Sequence, residues 1–213
     1  MKKYTLFILI AFVVLQCCTP CQKADHYYER PATKSYLPHY TNGSYFIYQN
    51  AGNAADVDTF FVRNYSDSMD FQFVEKKCDG SYFETRTFKF VSSAHGDSIT
   101  CLIKAGPNGD NCYLSGFYRQ QMLASNFTVE NGANPIIVSK YNGDTATLLQ
   151  NYNVLGSNYS NVLKISSNPV YRNSSIPILF CYAADIGIVQ FSTIDQSTNQ
   201  IGNTYLLKSY VIQ

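Results

Sequence analysis

A β-hairpin in the middle of the chain shows how the molecule is built: residues 98–118 read SITCLIKAGPNGDNCYLSGFY. Residues 98–104 and 111–118 are short runs in which Ile, Thr, Tyr and Phe recur, and these residues favour pleated, half-buried surfaces. Between them, residues 105–110 contain Gly, Pro, Asn and Asp, which are the residues of turns. The stretch therefore predicts two antiparallel strands joined by a turn.

The same pattern recurs on both sides of this hairpin. An Asn-Gly pair at 42–43 precedes a strand-like run at 44–49, and Cys-Asp-Gly-Ser at 78–81 is a hairpin turn leading into 82–91. Residues 119–124 are the one short stretch whose composition allows a helix. Further strands are expected at 57–63, 70–75, 135–140, 145–149, 162–166, 178–183, 187–192 and 204–212.

Short strands at even spacing, with no long helical pattern between them, predict a mainly β fold. We expect a strongly curved antiparallel meander, half-barrel or barrel-like, with at most one or two short helices. Several runs, such as 205–212, carry apolar side chains on both faces. That suits a curved sheet with one core face and one partly covered face. The same pattern fits a β-sandwich, which is the alternative.

The composition narrows the class of partner. The 213 residues carry a formal net charge of +1, and only 15% of them are charged. No basic patch stands out, which argues against nucleic acid as a partner. The chain has 18 Tyr and 14 Phe but no Trp, and this aromatic content again favours β structure.

The start of the chain resembles an export signal. A short basic head at residues 2–3 precedes an apolar run over 4–15. That run has the length of a signal-peptide core and is well short of the ~20 residues of a transmembrane helix. It ends in Leu-Gln-Cys-Cys at 15–18, which resembles the bacterial lipobox. Cys18 is then the lipidated residue, because a leucine stands three places before it, and Cys17 is the alternative.

The expected organisation has three parts. Residues 1–17 are a lipoprotein signal peptide, residues 18–38 are the lipidated cysteine and a polar tether, and residues 39–213 are a single antiparallel β domain. Two or three acyl chains give the stable anchoring that one chain does not. We therefore expect a cell-envelope protein held by its lipid on the outer membrane, with that membrane as its first partner.

Four of the seven cysteines lie in the expected β domain, and such a set can form disulfides in an oxidising compartment. Cys101 and Cys112 flank the turn at 105–110, so we expect a disulfide between them across the hairpin. Buried free thiols are the alternative. The spacing of the cysteines is not that of a zinc site, and no metal is expected.

Three short motifs resemble the Asp-Ser/Thr-aliphatic acceptor of Bacteroidota protein O-glycosylation. They place the acceptor oxygens on Ser68, Ser98 and Thr145, each at a predicted turn-to-strand edge that an enzyme could reach. Ordinary turn chemistry is the alternative explanation, since Asp and Ser favour such positions in any protein.

No constellation of residues points to catalysis. His26 and His39 lie in the expected tether or at its junction, and His95 lies in a turn. No Gly-x-Ser-x-Gly motif presents a nucleophile to that histidine. The spacing of the acidic residues, Asp56 and Asp58 among them, does not show the facing carboxylates of a glycosidase. A Gly-rich phosphate loop is also lacking. We expect neither enzyme activity nor a cofactor.

Segments near both ends of the expected domain resemble a family of uncharacterised Bacteroidota lipoproteins. Residues 37–48 resemble its opening pattern Pro-Leu-x-x-Gly-x-x-Trp-x-Tyr, with Phe46 in place of the tryptophan. The tail segments 156–163, 182–189 and 205–210 resemble its closing strands. The resemblance implies a curved antiparallel sheet, akin to the half-barrels of lipoprotein carriers or to lipocalin-like barrels, and implies no activity.

Two functions of different kinds are expected from this sequence. The first is a non-catalytic envelope lipoprotein whose curved sheet binds an apolar or amphiphilic small molecule, because aromatic residues are abundant on both strand faces. The second is a surface structural, adhesive or uptake-accessory module that contacts another envelope protein. An enclosed apolar cavity would favour the first function, and a filled core would favour the second.

Overall fold

The structure, a computed structural model, describes residues 24–73, 80–130, 145–167, 178–195, 197–198 and 200–213. These residues form one short helix and twelve strands. In chain order the elements are β1 (Asp25–Tyr27), α1 (Pro31–Tyr36), β2 (Tyr45–Asn50), β3 (Asn53–Gln72), β4 (Ser81–Ser92), β5 (Ser98–Lys104), β6 (Gly109–Tyr118), β7 (Gln121–Glu130), β8 (Thr145–Val154), β9 (Ser157–Ser167), β10 (Ile178–Ala183), β11 (Gly187–Asp195) and β12 (Gln200–Val211).

The strands make one sheet that closes into an eight-stranded antiparallel barrel. Around the ring run β12, β2, β3, β4, β5, β6, β7 and β11. Strand β11 closes the ring by pairing with β12 and, through Ile194 and Met122, with β7. Strands β10, β9 and β8 continue the sheet from β11, and β1 lies parallel to β4. The predicted curved, barrel-like antiparallel meander is confirmed.

Buried and partly exposed residues alternate along the strands, and the buried ones face the inside of the barrel. In β5, Ile99, Cys101 and Ile103 are buried, while the residues between them are partly exposed. Strand β5 pairs with β6 from Ile99 opposite Gly116 to Lys104 opposite Asn111. The hairpin predicted at residues 98–118 is therefore confirmed, and its apolar side chains point inward as a period of two requires.

Aromatic side chains fill the barrel interior. The Tyr48 ring packs edge to face at 5.6 Å from the Phe60 ring and at 5.0 Å from the Phe191 ring. Tyr118 continues the stack, 5.0 Å from Phe60 and 4.9 Å from Tyr205. Each such pair contributes about 0.5–1.5 kcal/mol beyond its burial. The Tyr48 hydroxyl donates to a carbonyl oxygen of β11 at 2.8 Å, so its polar group is satisfied inside the core.

Tyr40 closes one end of this interior. Its buried ring lies 5.2 Å from the Phe88 ring and 5.3 Å from the Phe46 ring, and its hydroxyl donates to the Ile186 carbonyl at 3.0 Å. Gly187 makes this approach possible, because its φ is +102° and a Cβ there would lie 1.8 Å from the Tyr40 hydroxyl oxygen. A side chain at this position would therefore push Tyr40 out of its place.

The predicted polar tether is wrong for residues 24–38. Residues 25–27 form β1 on the edge of β4, and residues 31–36 form α1, which begins with Pro31. Thr33 and Leu37 are fully buried, so this segment is part of the domain. Proline suits the first turn of a helix because its missing N–H has no intrahelical acceptor there. The lipobox residues lie outside the described residues.

The helix allowed by the sequence at 119–124 is also wrong. Tyr118 pairs with Gln121, so β6 and β7 are joined by a two-residue turn. Arg119 and Gln120 fill that turn with φ of 50° and 63°. Hairpins of this length need positive φ at the turn, which Asn and Gly usually supply. An Arg-Gln pair carries no such signal.

We expect Gly187→Ala to destabilise the fold by about 2–4 kcal/mol, which combines the strain of a left-handed backbone with overpacking against Tyr40. Gly156→Ala is the matched control, because its φ is +85° but a Cβ there meets nothing within 4 Å. It should lose only about 1 kcal/mol. Urea unfolding of both variants tests this, and equal losses would mean that the Tyr40 contact is not restrictive.

Candidate functional site

Polar side chains are concentrated at the two ends of the barrel. Strand β6 runs from one end to the other, with Asp110 at its start and Tyr118 at its close. Residues 29–40, which we call the strap, cross the end that holds Asp110. The opposite end, which we call the polar mouth, is formed by Asp58, Tyr118 and their polar neighbours. The intervening interior is the aromatic core, so any polar site lies at one of these ends.

The strap is held by a buried ion pair inside the barrel wall. Arg86 of β4 points inward with Phe88 and is 1% exposed. Its guanidinium donates to a carboxylate oxygen of Glu29 and to the carbonyl oxygens of Leu37 and Pro38, the last at 2.7 Å. A buried cation needs such partners because its desolvation is costly. The strap therefore supplies the acceptors that make an inward Arg86 tolerable.

Two further carboxylates fix the backbone of the strap. The Glu29 N–H donates to Glu84 Oε2 at 2.6 Å, and the Arg30 N–H donates to Asp110 Oδ2 at 2.6 Å. The same Asp110 oxygen accepts from the Thr33 hydroxyl at 2.7 Å. Asp110 is fully buried and so acts as a cap for α1 supplied by a neighbouring strand. The strap is thus docked as a structured closure of this end.

Burial raises the pKa of Glu29 from its ordinary value of 4.5 to about 7. The positive charges of Arg86 and Lys34 oppose this rise, and the negative charge of Glu84 adds to it. The geometry agrees with the direction, because Glu29 Oε2 is buried and accepts no hydrogen bond from the described residues. A carboxyl group half satisfied in a dry site holds its proton more tightly than in water.

The polar mouth is organised around Asp58, which is 3% exposed. Its carboxylate accepts from the Tyr118 hydroxyl at 2.9 Å, from the Thr59 N–H at 2.7 Å and from the Ser93 hydroxyl at 3.2 Å. The Ser92 hydroxyl and the Ala94 N–H complete the set. Burial, together with the neighbouring carboxylate, raises the pKa of Tyr118. Asp58 thus ties the β4–β5 turn to the closing residue of β6.

Arg119 covers this buried carboxylate from outside. Its guanidinium makes a two-pronged ion pair with Asp56 and lies 5.3 Å from the centre of the Tyr118 ring. Its Nε lies 3.1 Å from His95 Nε2, and its N–H donates to Asp97 at 2.6 Å. Burial opposes ionisation of Asp56, but the hydrogen bonds from Arg119 and Asn50 outweigh it and lower the pKa of Asp56.

An amide network lines the same rim. Asn50 Nδ2 donates to Asp56 at 3.0 Å and to Asn203 at 3.2 Å, and the Asn203 amide lies 3.5 Å from Gln121 Oε1. The Tyr205 hydroxyl is buried beside Arg119 and lacks a hydrogen-bond partner among the described residues. A buried polar group without a partner is rare in a native protein. The mouth therefore has one unused hydrogen-bonding group.

Chemically, the mouth combines amide and hydroxyl groups with charged groups that already have partners within it. Asp56 neutralises Arg119, and His95 is engaged with Arg119 rather than with a serine or aspartate. Within the described residues, no group of His, Cys, Asp and Glu could hold a metal ion. The arrangement suits contacts with amides or hydroxyls on a partner surface.

The alternation of residues along the strands indicates that Arg86 and Asp58 point inward. Arg86 stands at an inward position of the run that contains Phe88 and Phe90, and Asp58 precedes Phe60 in the same way. A charge at an inward position has to find a buried partner. The sequence could therefore have identified Arg86 and Asp58, but not the partners that the fold brings to them.

Cys101 and Cys112 both face the interior, but as free thiols where the sequence predicted a disulfide. The register places Cys101 opposite Leu114 and Cys112 opposite Ile103, so the two thiols are diagonal rather than opposite. Burial raises the pKa of both thiols. Cys181 is likewise buried and free, and burial raises its pKa to about 11. Cys78 lies outside the described residues.

The three residues predicted to be O-glycosylated lie on three different strands and do not form one site. Ser68 lies inside β3, exposed, with its hydroxyl 3.0 Å from Asp70, and not at a turn edge. Ser98 begins β5 and is partly exposed, and Thr145 begins β8 and is exposed. Modification at these three residues stays a prediction.

The histidines considered in the sequence are far apart in the structure and do not form one site. His39 Nδ1 lies 2.8 Å from the Tyr65 hydroxyl, and burial lowers the pKa of this histidine. His26 lies on β1 and stacks on Tyr82. The predicted lipidation residues Cys17 and Cys18 lie outside the described residues. Within the described part, no helix has the length and apolarity to cross a membrane.

Comparison with family models, with curated proteins and with solved structures found no match for this chain. The function proposed below therefore depends on the geometry of the described residues.

We expect the contribution of Glu29 to the free energy of unfolding to fall as pH rises from about 4.5 to 7, by up to about 1.4 kcal/mol per pH unit. The sign follows from the raised pKa, since the folded state binds the Glu29 proton across this window and the unfolded state releases it.

Glu29→Gln should remove that contribution. His39 acts in the opposite direction, because its lowered pKa makes stability rise with pH, but both proteins share it. The difference between wild-type and variant urea curves at pH 5, 6, 7 and 8 therefore isolates Glu29. Parallel curves would show that Glu29 is ionised throughout this range.

Proposed function

We propose that the protein is a non-catalytic lipoprotein of the cell envelope that acts as a surface structural or adhesive module. In this proposal the lipid on Cys18 holds it to the outer membrane, and the closed barrel is a scaffold rather than a container. The polar mouth then contacts another envelope protein. The alternative expected from the sequence, a carrier of an apolar ligand, requires a space inside the barrel.

The packing of the barrel interior carries this proposal. Phe60, Tyr118 and Tyr205 interlock with ring centres 4.9–5.0 Å apart, where a bound lipid would have to lie. Interiors of eight-stranded barrels are wide enough either for side chains or for one small ligand. Aromatic rings in contact leave that space to the protein itself, which supports a structural role over carriage.

The polar mouth supports contact with a protein. Arg119, with about a third of its side chain exposed, and several amides are clustered around one rim, and Arg is enriched in protein interfaces. Arg119 is pre-ordered by Asp56 and by the rings below it, so little side-chain entropy is lost on binding.

The anchor is tested by two serine variants of the full chain. Cys18→Ser should abolish incorporation of a clickable fatty acid and move the protein from the membrane fraction to the soluble envelope fraction, because the acyl chains supply the membrane affinity. Cys17→Ser, one residue away, should retain both label and location. The opposite result would assign lipidation to Cys17, and label in neither protein would reject the anchor.

The scaffold role is tested by native mass spectrometry of the Cys18→Ser chain recovered from the envelope. We expect a mass without any stoichiometric lipid, since the aromatic core occupies the interior. The lipidated wild-type protein serves as the control, because its own acyl chains must be detected under the same conditions. A retained lipid at one per chain in the variant would favour the carrier function instead.

A further inference from the structure

We propose that an exposed aromatic surface on the strap side of the barrel docks onto the lipid bilayer to which the chain is anchored. This inference depends on the lipid anchor of the proposed function and adds a second membrane contact to it. We call this surface the aromatic ladder, and it consists of His26, Tyr28, Met69, Phe71, Phe73 and Tyr82.

The ladder stands on an arm that extends past the barrel wall. Strand β3 continues beyond its pairing with β2, and its residues 66–72 pair with β4 residues 81–87. Strand β5 pairs with β4 only from Thr85 onward, so residues 81–84 lie beyond it. Strand β1 adds a third, parallel strand to this end. The arm is therefore a small ribbon with one face continuous with the inner side of the barrel.

The rings on that face form a stack. The His26 ring lies 4.7 Å from the Tyr82 ring, nearly parallel at 11°, and 6.4 Å from the Tyr28 ring at 17°. Phe71, opposite Tyr82 in the register, lies 5.1 Å from it. Phe73 follows directly after the end of β3. These contacts hold the rings in place without covering their outer sides.

The ladder is exposed to an unusual degree for apolar side chains. Phe73 is 70% exposed, Tyr28 64%, Phe71 51% and Met69 41%. A contiguous apolar patch on a protein surface marks a binding site for a protein or a membrane. The acidic residues Asp25 and Asp70 belong to the opposite face of the ribbon, since they pair with Ser81 and Phe83. Glu84, opposite Met69, lies on the ladder face but is paired with Lys34 at 3.6 Å. The ladder face can therefore approach a bilayer without burying Asp25 or Asp70.

The position of the ladder in the chain selects the membrane as its occupant. Strand β1, which carries the ladder residue His26 and is followed directly by Tyr28, begins at Asp25, only seven residues after Cys18. Seven residues span at most about 25 Å when fully extended, and about 15 Å on average as a flexible chain. An acylated Cys18 would thus keep the start of β1, at the edge of the ladder, within about 25 Å of the lipid surface.

Because the anchor holds the ladder close to the bilayer, a small apolar patch is sufficient for binding to it. A contact on a short tether is intramolecular, with an effective concentration in the millimolar range. Tyr and other aromatic side chains favour the boundary between water and acyl chains, where the ring is apolar and the hydroxyl stays hydrated. Another partner would have to displace the bilayer that the anchor already holds beside the ladder.

The experiment uses the absence of tryptophan from this chain. Phe71→Trp in the full lipidated protein creates the sole tryptophan, placed in the ladder. Phe117→Trp is the matched control, because Phe117 is also 51% exposed but lies on β6 beside the polar mouth. Both proteins are reconstituted into phosphatidylethanolamine–phosphatidylglycerol vesicles with and without brominated acyl chains. Phe73→Trp is a second ladder probe should the first variant fold poorly.

We expect brominated lipid to quench the ladder tryptophan at least about twofold more strongly than the control, since interfacial side chains insert about 5–10 Å into the headgroup and acyl boundary. Equal quenching of the two probes would overturn the ladder proposal while leaving the anchor intact. Protection of the ladder probe from acrylamide without quenching by brominated lipid would indicate a second copy of the chain and also overturn it. Failure of the protein to float with the vesicles would reject the anchor and the ladder together.

Discussion

Everything in this fold depends on how eight strands fill the space that they enclose. A ring of this size leaves room for side chains and little else, and tyrosine and phenylalanine occupy it here. Tyrosine brings a hydroxyl into the core, which must find an acceptor or be a cost to stability. Tyr40 and Tyr48 donate to carbonyl oxygens near the start of β11, and Tyr182 donates to Ser125. The hydroxyls therefore fix which strand lies against which ring, and the core specifies the closure at β11.

The two ends of the barrel solve the same problem in different ways. At the strap end the inward charge is Arg86, which is neutralised by Glu29 and by strap carbonyl groups. A buried pair of this kind adds little net stability, but removing one partner costs about 3–5 kcal/mol. Its effect is to specify the position of the strap. At the mouth the inward charge is Asp58, satisfied by hydroxyl and amide donors from its own wall. The mouth is thus complete without an added segment, and its outer polar groups stay available to a partner.

Sequence patterns predicted most of the architecture, because strand alternation and turn chemistry are local. The hairpin of β5 and β6 follows from residues 98–118 alone, and the curvature follows from strands with two apolar faces.

The predictions that were wrong concern features that depend on contacts between distant parts of the chain. The strap was predicted to be a polar tether because its burial depends on Arg86 and Asp110. These two residues lie 48 and 80 residues further along the chain than Pro38 and Arg30, their hydrogen-bonding partners in the strap. The turn at Arg119 has no glycine or asparagine, since Asp56 of β3 and Asp97 of the β4–β5 connection hold that residue. A cysteine pair that flanks a turn was expected to face each other, but a two-residue offset in register separates them. Of the mouth, the sequence could indicate only that Asp58 is a charged residue at an inward position, and not which residues surround it.

The fold also gives the molecule a polarity that a lipid anchor alone cannot provide. Asp110 and Tyr118 are the inward residues nearest the two ends of β6, eight residues apart, so the strap end and the mouth are separated by about 27 Å measured along this strand. A short flexible tether would let the barrel rotate freely and expose either end to the membrane. In the proposed arrangement the aromatic ladder breaks that symmetry, because it is apolar and follows closely on the proposed anchor, whereas the mouth is polar and lies at the opposite end. A second contact with the bilayer would therefore direct the mouth away from the membrane and toward the proposed partner protein.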